Sequence, residues 1–152
     1  GLGGANLLHK MIGTPSMEGF TSSMRDLTKG NLPKWSASLP RPTSIDTNFE
    51  QRLVDKKVVY FPSCINRTMG RDSKTTVEEE LFDITVSLLQ KAGYQVLFPK
   101  NIDSLCCGMP FSSKGFNKQA KQKSDELEQA LKEISNFGEY PILCDTSPCT
   151  KK

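Results

Sequence analysis

The chain has 152 residues, of which 36% are hydrophobic and 24% charged, and its formal net charge at pH 7 is +3. That length and mix are typical of one globular domain with a core of its own. The lysines and arginines are scattered and form no basic patch for a nucleic acid or a membrane surface, and no apolar run approaches the roughly 18 residues of a spanning helix. The N-terminus shows no secretory signal, so we expect a cytoplasmic, reducing setting in which cysteines act as ligands or redox groups.

The first thirty residues predict a helical arm. Residues 6–13, "NLLHKMIG", predict a short helix that ends at Gly13, and residues 14–30 predict a second helix with Thr14 as its N-cap and Gly30 as its end. The apolar residues of the second helix repeat at helical spacing and form one face, which consists of Met17, Phe20, Met24 and Leu27. We expect this face to be covered, either by folding back onto the chain or by self-association through residues 14–30.

A proline-rich stretch follows the arm. "NLPKWSASLPRPTS" carries three prolines within ten residues, which predicts an extended linker. We therefore divide the chain into a helical arm with its linker at residues 1–50 and a folded domain at residues 51–152.

Strands and helices alternate in the folded domain. The predicted elements are a strand at 57–61, a helix at 75–93, a strand at 94–99, a helix at 112–138 and a strand at 141–145. Short connections between them imply a parallel sheet with right-handed crossovers. The predicted fold class is thus α/β, a small three-layer parallel sheet with flanking helices.

Each predicted helix has an apolar stripe that should face the sheet. In the first helix, which we expect to start with a capping box of Thr76 and Glu79, the stripe is Val77, Leu81, Ile84, Leu88 and Leu89. In the second helix the inward residues are Phe116, Ala120, Leu127, Leu131 and Ile134.

Two of the five cysteines are adjacent, in the loop "SLCCGMP". A disulfide between neighbours closes a small strained ring, and neighbouring side chains do not both point into one core. Adjacent thiols therefore indicate a shared ligand. Gly108 directly after the pair permits a sharp turn and a close approach of the backbone.

The cysteines follow the ends of the predicted strands. Cys64 follows the first strand, Cys106 and Cys107 follow the second, and Cys149 follows the third. Since the carboxyl ends of parallel strands meet at one edge, where open α/β sheets bind ligands, we expect these four thiols to converge. Cys144, inside the third strand, is expected to be a core residue. Thiolates bind iron–sulfur clusters and soft metals, and four of them also suit structural zinc, although the paired C-x-x-C knuckles of zinc ribbons are absent.

Three segments, "VVYFPSCINRTMG", "LCCGMPFSSKG" and "PILCDTSPCT", resemble the cysteine-rich CCG domain, whose pattern is C, then C-C-G, then C-x-x-C. That domain is found in heterodisulfide reductase subunits, in the iron–sulfur subunit of glycolate oxidase and at the C-terminus of FAD-linked D-lactate dehydrogenases. The details look most like the last group. The resemblance covers roughly residues 31–152, and it implies that Cys64, Cys106, Cys107 and Cys149 are the metal and cluster ligands. One departure is that the first cysteine of C-x-x-C would fall at Thr146.

The resemblance implies a parent enzyme. This chain would be the first, truncated CCG repeat of a longer oxidoreductase that oxidises a 2-hydroxy acid such as D-lactate or glycolate, and it would be inactive alone. Its cofactor would be an iron–sulfur cluster, with FAD present in the parent only. Its partners would be the flavin and ferredoxin-like domains of that parent and an electron-transport acceptor, with the parent peripheral to the inner membrane.

Two other hypotheses stay open. In one, the domain is a structural or docking module whose cysteines bind zinc or no metal. In the other, Cys106 and Cys107 carry out thiol–disulfide chemistry, which ring strain disfavours. No catalytic residue is predicted, because the single histidine, His9, lies in the arm and no nucleophile–base pair can form around it.

Overall fold

The computed structural model describes residues 11–32, 35–36, 43, 45, 47, 54–70 and 79–150. They fall into two units, one drawn from Gly1–Thr43 and Thr68–Glu78, the other from Ser44–Arg67 and Glu79–Lys152.

The first unit contains helix α1, Thr14–Leu27. Gly13 occupies the N-cap position, so the prediction that Thr14 caps this helix was wrong by one residue. Gly30 ends the helix as predicted, with φ of +85° and its N–H donating to the carbonyl of Arg25 at 2.8 Å. Of the helix predicted at residues 6–13, residues 6–10 lie outside the described part.

The apolar face of α1 is mostly exposed. Met17 is buried, but Phe20 is 58% and Leu27 79% exposed, and Met24 is also exposed. The backbone N–H of Trp35 donates to the Thr21 hydroxyl at 3.2 Å. The described residues between 31 and 47 adopt neither helix nor strand, and the other residues of the predicted linker lie outside the described part.

The second unit is built on a three-stranded parallel sheet of β1 Lys57–Phe61, β2 Gln95–Leu97 and β3 Ile142–Cys144. The strand order is β2-β1-β3, so the first strand lies in the middle. Its residues are β-branched or aromatic, and all but Lys57 are buried, as expected for a strand covered on both faces. The last rung of the sheet pairs Phe61 with Cys144. The predicted small α/β fold with a parallel sheet is confirmed.

Alternation along β1 creates two cores. Val58 and Tyr60 face one side, where they pack with Phe82, Val86 and Val96. Phe61 faces the other side, where the buried residues are Leu105, Cys107 and Leu127. The cysteines thus belong to the second core.

Helix α2, Cys64–Thr68, follows β1, and helix α3, Leu81–Lys91, leads to β2. The expected inward stripe of α3 was wrong: Leu81, Ile84 and Leu88 are exposed. The buried residues are Phe82 and Val86, with Leu89 partly buried. The rings of Phe82 and Tyr60 stack with their centroids 5.7 Å apart, so the face of α3 that carries Phe82 packs against β1.

The start of α3 also differs from the prediction. Glu80 is the N-cap, so the described helix begins after the expected capping box. Thr76 and Val77 lie outside the described residues.

The long helix predicted at residues 112–138 is shorter than expected: helix α5, Asn117–Ile134, runs along the second core. Ser112 belongs instead to a separate one-turn helix, α4, Met109–Ser112. Gly115, with φ of +81°, breaks the chain between them. Ala120 and Leu127 are buried as predicted, whereas Phe116 precedes α5 and is exposed. A 3₁₀ turn, Ser147–Thr150, follows β3.

Candidate metal centre

All five cysteines lie at the carboxyl edge of the sheet. Cys64 begins α2, three residues beyond the end of β1, and Cys106 and Cys107 immediately precede the turn into α4. Cys144 is the last residue of β3, and Cys149 lies in the 3₁₀ turn that follows it. Topology therefore gathers thiols from three distant chain segments at one edge.

The two adjacent thiols have different neighbours. Cys106 lies near Cys64, whereas Cys107 is buried in the second core, against which Cys149 packs. All five thiols are free. Cys106 and Cys107 therefore form no vicinal disulfide, and each has a different cysteine as its neighbour.

Burial raises the pKa of Cys64, and the neighbouring thiols of Cys106 and Cys107 raise it further, against a smaller opposing effect of the Arg67 charge. Burial and the contact with Cys107 hold the pKa of Cys149 well above its usual value. The pKa of Cys144 is also raised, chiefly by burial. In the metal-free protein these three thiols are protonated at neutral pH, so metal binding would release protons.

Gly108 fixes the turn after the cysteine pair. Its φ is +81°, and a Cβ placed on it would lie 2.2 Å from the carbonyl oxygen of Ala120 in α5. Only glycine allows both this conformation and this approach. The prediction that Gly108 permits a sharp turn and a close backbone approach is confirmed. The cysteine loop therefore packs directly against the backbone of α5.

A buried arginine joins the first two cysteine loops. Arg67 is 7% exposed, and its guanidinium donates to the carbonyls of Pro62 at 3.2 Å, of Ile102 and of Leu105. The guanidinium also lies 5.5 Å from the ring centroid of Phe61. None of the carboxylates that the structure describes pairs with it. A buried cation of this kind favours negative charge nearby, which thiolate ligands supply.

A carboxylate joins the first and third loops. Asp145 accepts hydrogen bonds from the Ser63 N–H at 2.9 Å, the Tyr60 hydroxyl at 3.0 Å and the Thr146 hydroxyl at 3.1 Å. Burial alone would raise the pKa of Asp145, but hydrogen bonds from Asn66, Ser63 and Tyr60 together outweigh it and lower that pKa. The carboxylate therefore ties the chain beside Cys144 to the chain beside Cys64.

A cavity of about 490 Å³ opens beside the thiols, between α5 and β3. Cys107, Cys144 and Cys149 line it together with apolar side chains such as Leu131 and Ile142. Three of the five cysteines thus line the same cavity.

Within residues 11–32, 35–36, 43, 45, 47, 54–70 and 79–150, no group of three or more His, Cys, Asp and Glu side chains could hold a single metal ion. The donors are five thiols, and thiolates are the ligands of iron–sulfur clusters and of soft metals such as zinc.

The structure brings together the four cysteines singled out in the sequence. Cys144, which we expected in the core, is half-buried and packs against the second core, and it also lines the cavity with Cys149. The sequence analysis missed Arg67 and Asp145. Arg67 lies one helical turn after Cys64, and Asp145 follows the last residue of β3, so a charged residue beside a cysteine was the available clue.

In the described part of the chain, no helix has both the length and the apolar character needed to cross a membrane. Neither a curated protein nor a solved structure matches the chain significantly. A family model for the cysteine-rich domain, CCG, matches residues 58–150. Such domains are associated with iron–sulfur chemistry and occur in oxidoreductase subunits. Because the match spans more than half of the chain and includes all five cysteines, this chain belongs to the CCG cysteine-rich domain family.

Proposed function

We propose that this domain binds an iron–sulfur cluster and serves electron transfer in an oxidoreductase. The observation that carries the proposal is the convergence of free thiols from three loops at one sheet edge. The ligands we assign from the sequence pattern are Cys64, Cys106, Cys107 and Cys149. When bound, such a cluster takes up and releases single electrons.

The chain's own residues prepare this site. Arg67 and Asp145 fix the three loops relative to one another through hydrogen bonds to backbone and side chains. The Arg67 charge favours thiolate near Cys64, which offsets part of the cost of burying an anionic centre. Leu105 and Leu127 exclude water from the side of Cys107, which is buried with them.

We further propose that the chain works within a longer FAD-dependent enzyme that oxidises a 2-hydroxy acid such as D-lactate or glycolate. The likeness of the cysteine and linker segments to that group supports this assignment. In it, electrons leave a flavin domain, pass through a ferredoxin-like module and this domain, and reach a membrane electron-transport acceptor. The test is to isolate the native protein that contains this chain, record its flavin spectrum and measure acceptor reduction with D-lactate and glycolate.

Metal content tests the cluster directly. The chain is reconstituted under anaerobic conditions with ferrous iron and sulfide, and bound iron, sulfide and visible absorbance are measured. We expect iron and sulfide to be retained together, and we expect loss of both in a Cys106→Ser, Cys107→Ser double variant. Ser112→Ala in α4 is the matched control. Retention of zinc without iron or sulfide would instead support the structural or docking module.

A further inference from the structure

We propose that Cys144 is a fifth thiolate ligand of this centre, an inference that rests on the proposed cluster. Cys144 is the one cysteine that the sequence pattern leaves without a role. Its position in the fold gives it one.

The sheet register places Cys144 at the site. It pairs with Phe61 on the last rung of the sheet, so it lies at the carboxyl edge where the other thiols gather. Side chains two residues apart in a strand share a face, and both Ile142 and Cys144 line the cavity beside α5. Cys107 and Cys149 line that same cavity.

Cys144 packs against the second core, to which Cys107 belongs, and Cys149 packs against the same core. The Cys144 sulfur lies 3.6 Å from the carbonyl oxygen of Thr146. Cys144 is half-buried, and Ile142 beside it on the same face is 46% exposed. The Cys144 side chain therefore lies where the second core borders the cavity, and from there it can reach a ligand.

The side chains of Asp145 and Thr146, which follow Cys144, are engaged in hydrogen bonds to other protein groups. Of these three residues, Cys144 is the one whose side chain is a thiol. The Thr146 hydroxyl donates to the Asp145 carboxylate at 3.1 Å, so that side chain is already engaged. Asp145 in turn accepts from the Ser63 N–H at 2.9 Å, which anchors the end of β3 to the Cys64 loop. Cys144 thus lies between β3 and a residue, Asp145, that hydrogen bonds hold to the Cys64 loop.

Thiol protection in the wild-type chain is the first test. Iodoacetamide labelling of each cysteine is quantified by peptide mass spectrometry in the metal-free chain and after anaerobic loading with iron and sulfide. We expect loading to protect Cys144 as strongly as it protects Cys149. Equal labelling of Cys144 before and after loading would overturn the proposal.

Variants separate a ligand from a bystander that the cluster merely covers. Cys144→Ser should weaken iron retention against a chelator by about 10-fold or more and change the electron paramagnetic resonance spectrum of the reduced centre. Ile142→Val, on the same strand face, is the matched control and should load like the wild type. Cys144→Ser, Thr146→Cys moves the thiol two residues along the chain, and recovery of iron by this variant would show that the sulfur itself is needed.

The outcomes distinguish the two proposals. A Cys144→Ser variant that is folded by circular dichroism and loads with the wild-type spectrum and iron retention would overturn the role of Cys144 alone. A wild-type chain that takes up neither iron nor sulfide would overturn the proposed cluster, because no centre would exist for Cys144 to bind. An unfolded Cys144→Ser chain leaves the labelling experiment on wild-type protein to decide the question.

Discussion

Replacing Gly108 with alanine should damage both the fold and the metal site. The new Cβ would lie 2.2 Å from the carbonyl oxygen of Ala120, whereas ordinary contacts begin at 3.4 Å. The cysteine loop and α5 must therefore separate by about 1 Å, a shift that lies within the range of backbone movements forced by overpacking. Because Cys106 and Cys107 immediately precede this residue, their sulfurs move with the loop.

The cost has two parts. A side chain at a φ of +81° costs about 1–2 kcal/mol in backbone strain, and forcing the loop from α5 adds about 1–3 kcal/mol. Together they amount to a large fraction of the roughly 5–15 kcal/mol that stabilises a domain. Urea unfolding of the metal-free chain, followed by circular dichroism, measures the loss as a lower midpoint at an unchanged slope.

Gly115 provides the matched control. It has the same φ of +81°, but nothing lies within 4 Å of its Cβ position. Gly115→Ala should therefore incur the backbone strain alone and keep wild-type uptake of iron and sulfide, whereas Gly108→Ala should lose it. If the two variants have equal midpoints and equal iron contents, the contact with Ala120 does not set the geometry of the cysteine loop.

Three further predictions follow from other described contacts. Arg67→Met should lower the free energy of unfolding of the metal-free chain, measured in urea, by about 3 kcal/mol or more, because the carbonyls that Arg67 binds lose their donor. The control Arg25→Met, at an exposed position of α1, should lower it far less. The lowered pKa of Asp145 stabilises the fold above the unfolded value of 3.8, and this contribution should be lost as pH falls through the folded pKa. Unfolding midpoints of wild type and Asp145→Asn should therefore converge on acidification, and a constant gap down to pH 3 would contradict the assignment. The exposed Phe20, Met24 and Leu27 should drive self-association of the chain that Met24→Lys reduces, and light scattering that shows a monomer throughout a concentration series would count against it.

Local patterns were enough to predict the order of strands and helices and the role of Gly108. Whether a segment forms a strand or a helix depends largely on the spacing of apolar residues within that segment. The turn at Gly108 depends on the missing Cβ of a single residue. The convergence of cysteines then followed from topology, because all parallel strands end at one edge.

The inward face of α3 could not be read from periodicity. Its segment "LFDITVSLL" is apolar on two sides, since Leu81, Ile84 and Leu88 form one stripe and Phe82, Val86 and Leu89 form another. The choice depends on rings that are distant in sequence: Phe82 lies 5.7 Å from Tyr60 and 5.5 Å from Phe98. The roles of Arg67 and Asp145 escaped prediction for the same reason, because their partners lie in other loops.

The central position of β1 has a consequence for when the site can form. Its sheet neighbours arrive later in the chain, and the bond between Ser63 and Asp145 joins residues 82 apart in sequence. Such non-local pairing is slow, and during synthesis it must wait until β3 has left the ribosome. Cys64, Cys106 and Cys107 are therefore translated as separate, unpaired thiols, and the five thiols come together only once the whole domain has folded. Insertion of the cluster that we propose would then act on the folded domain and not on the growing chain.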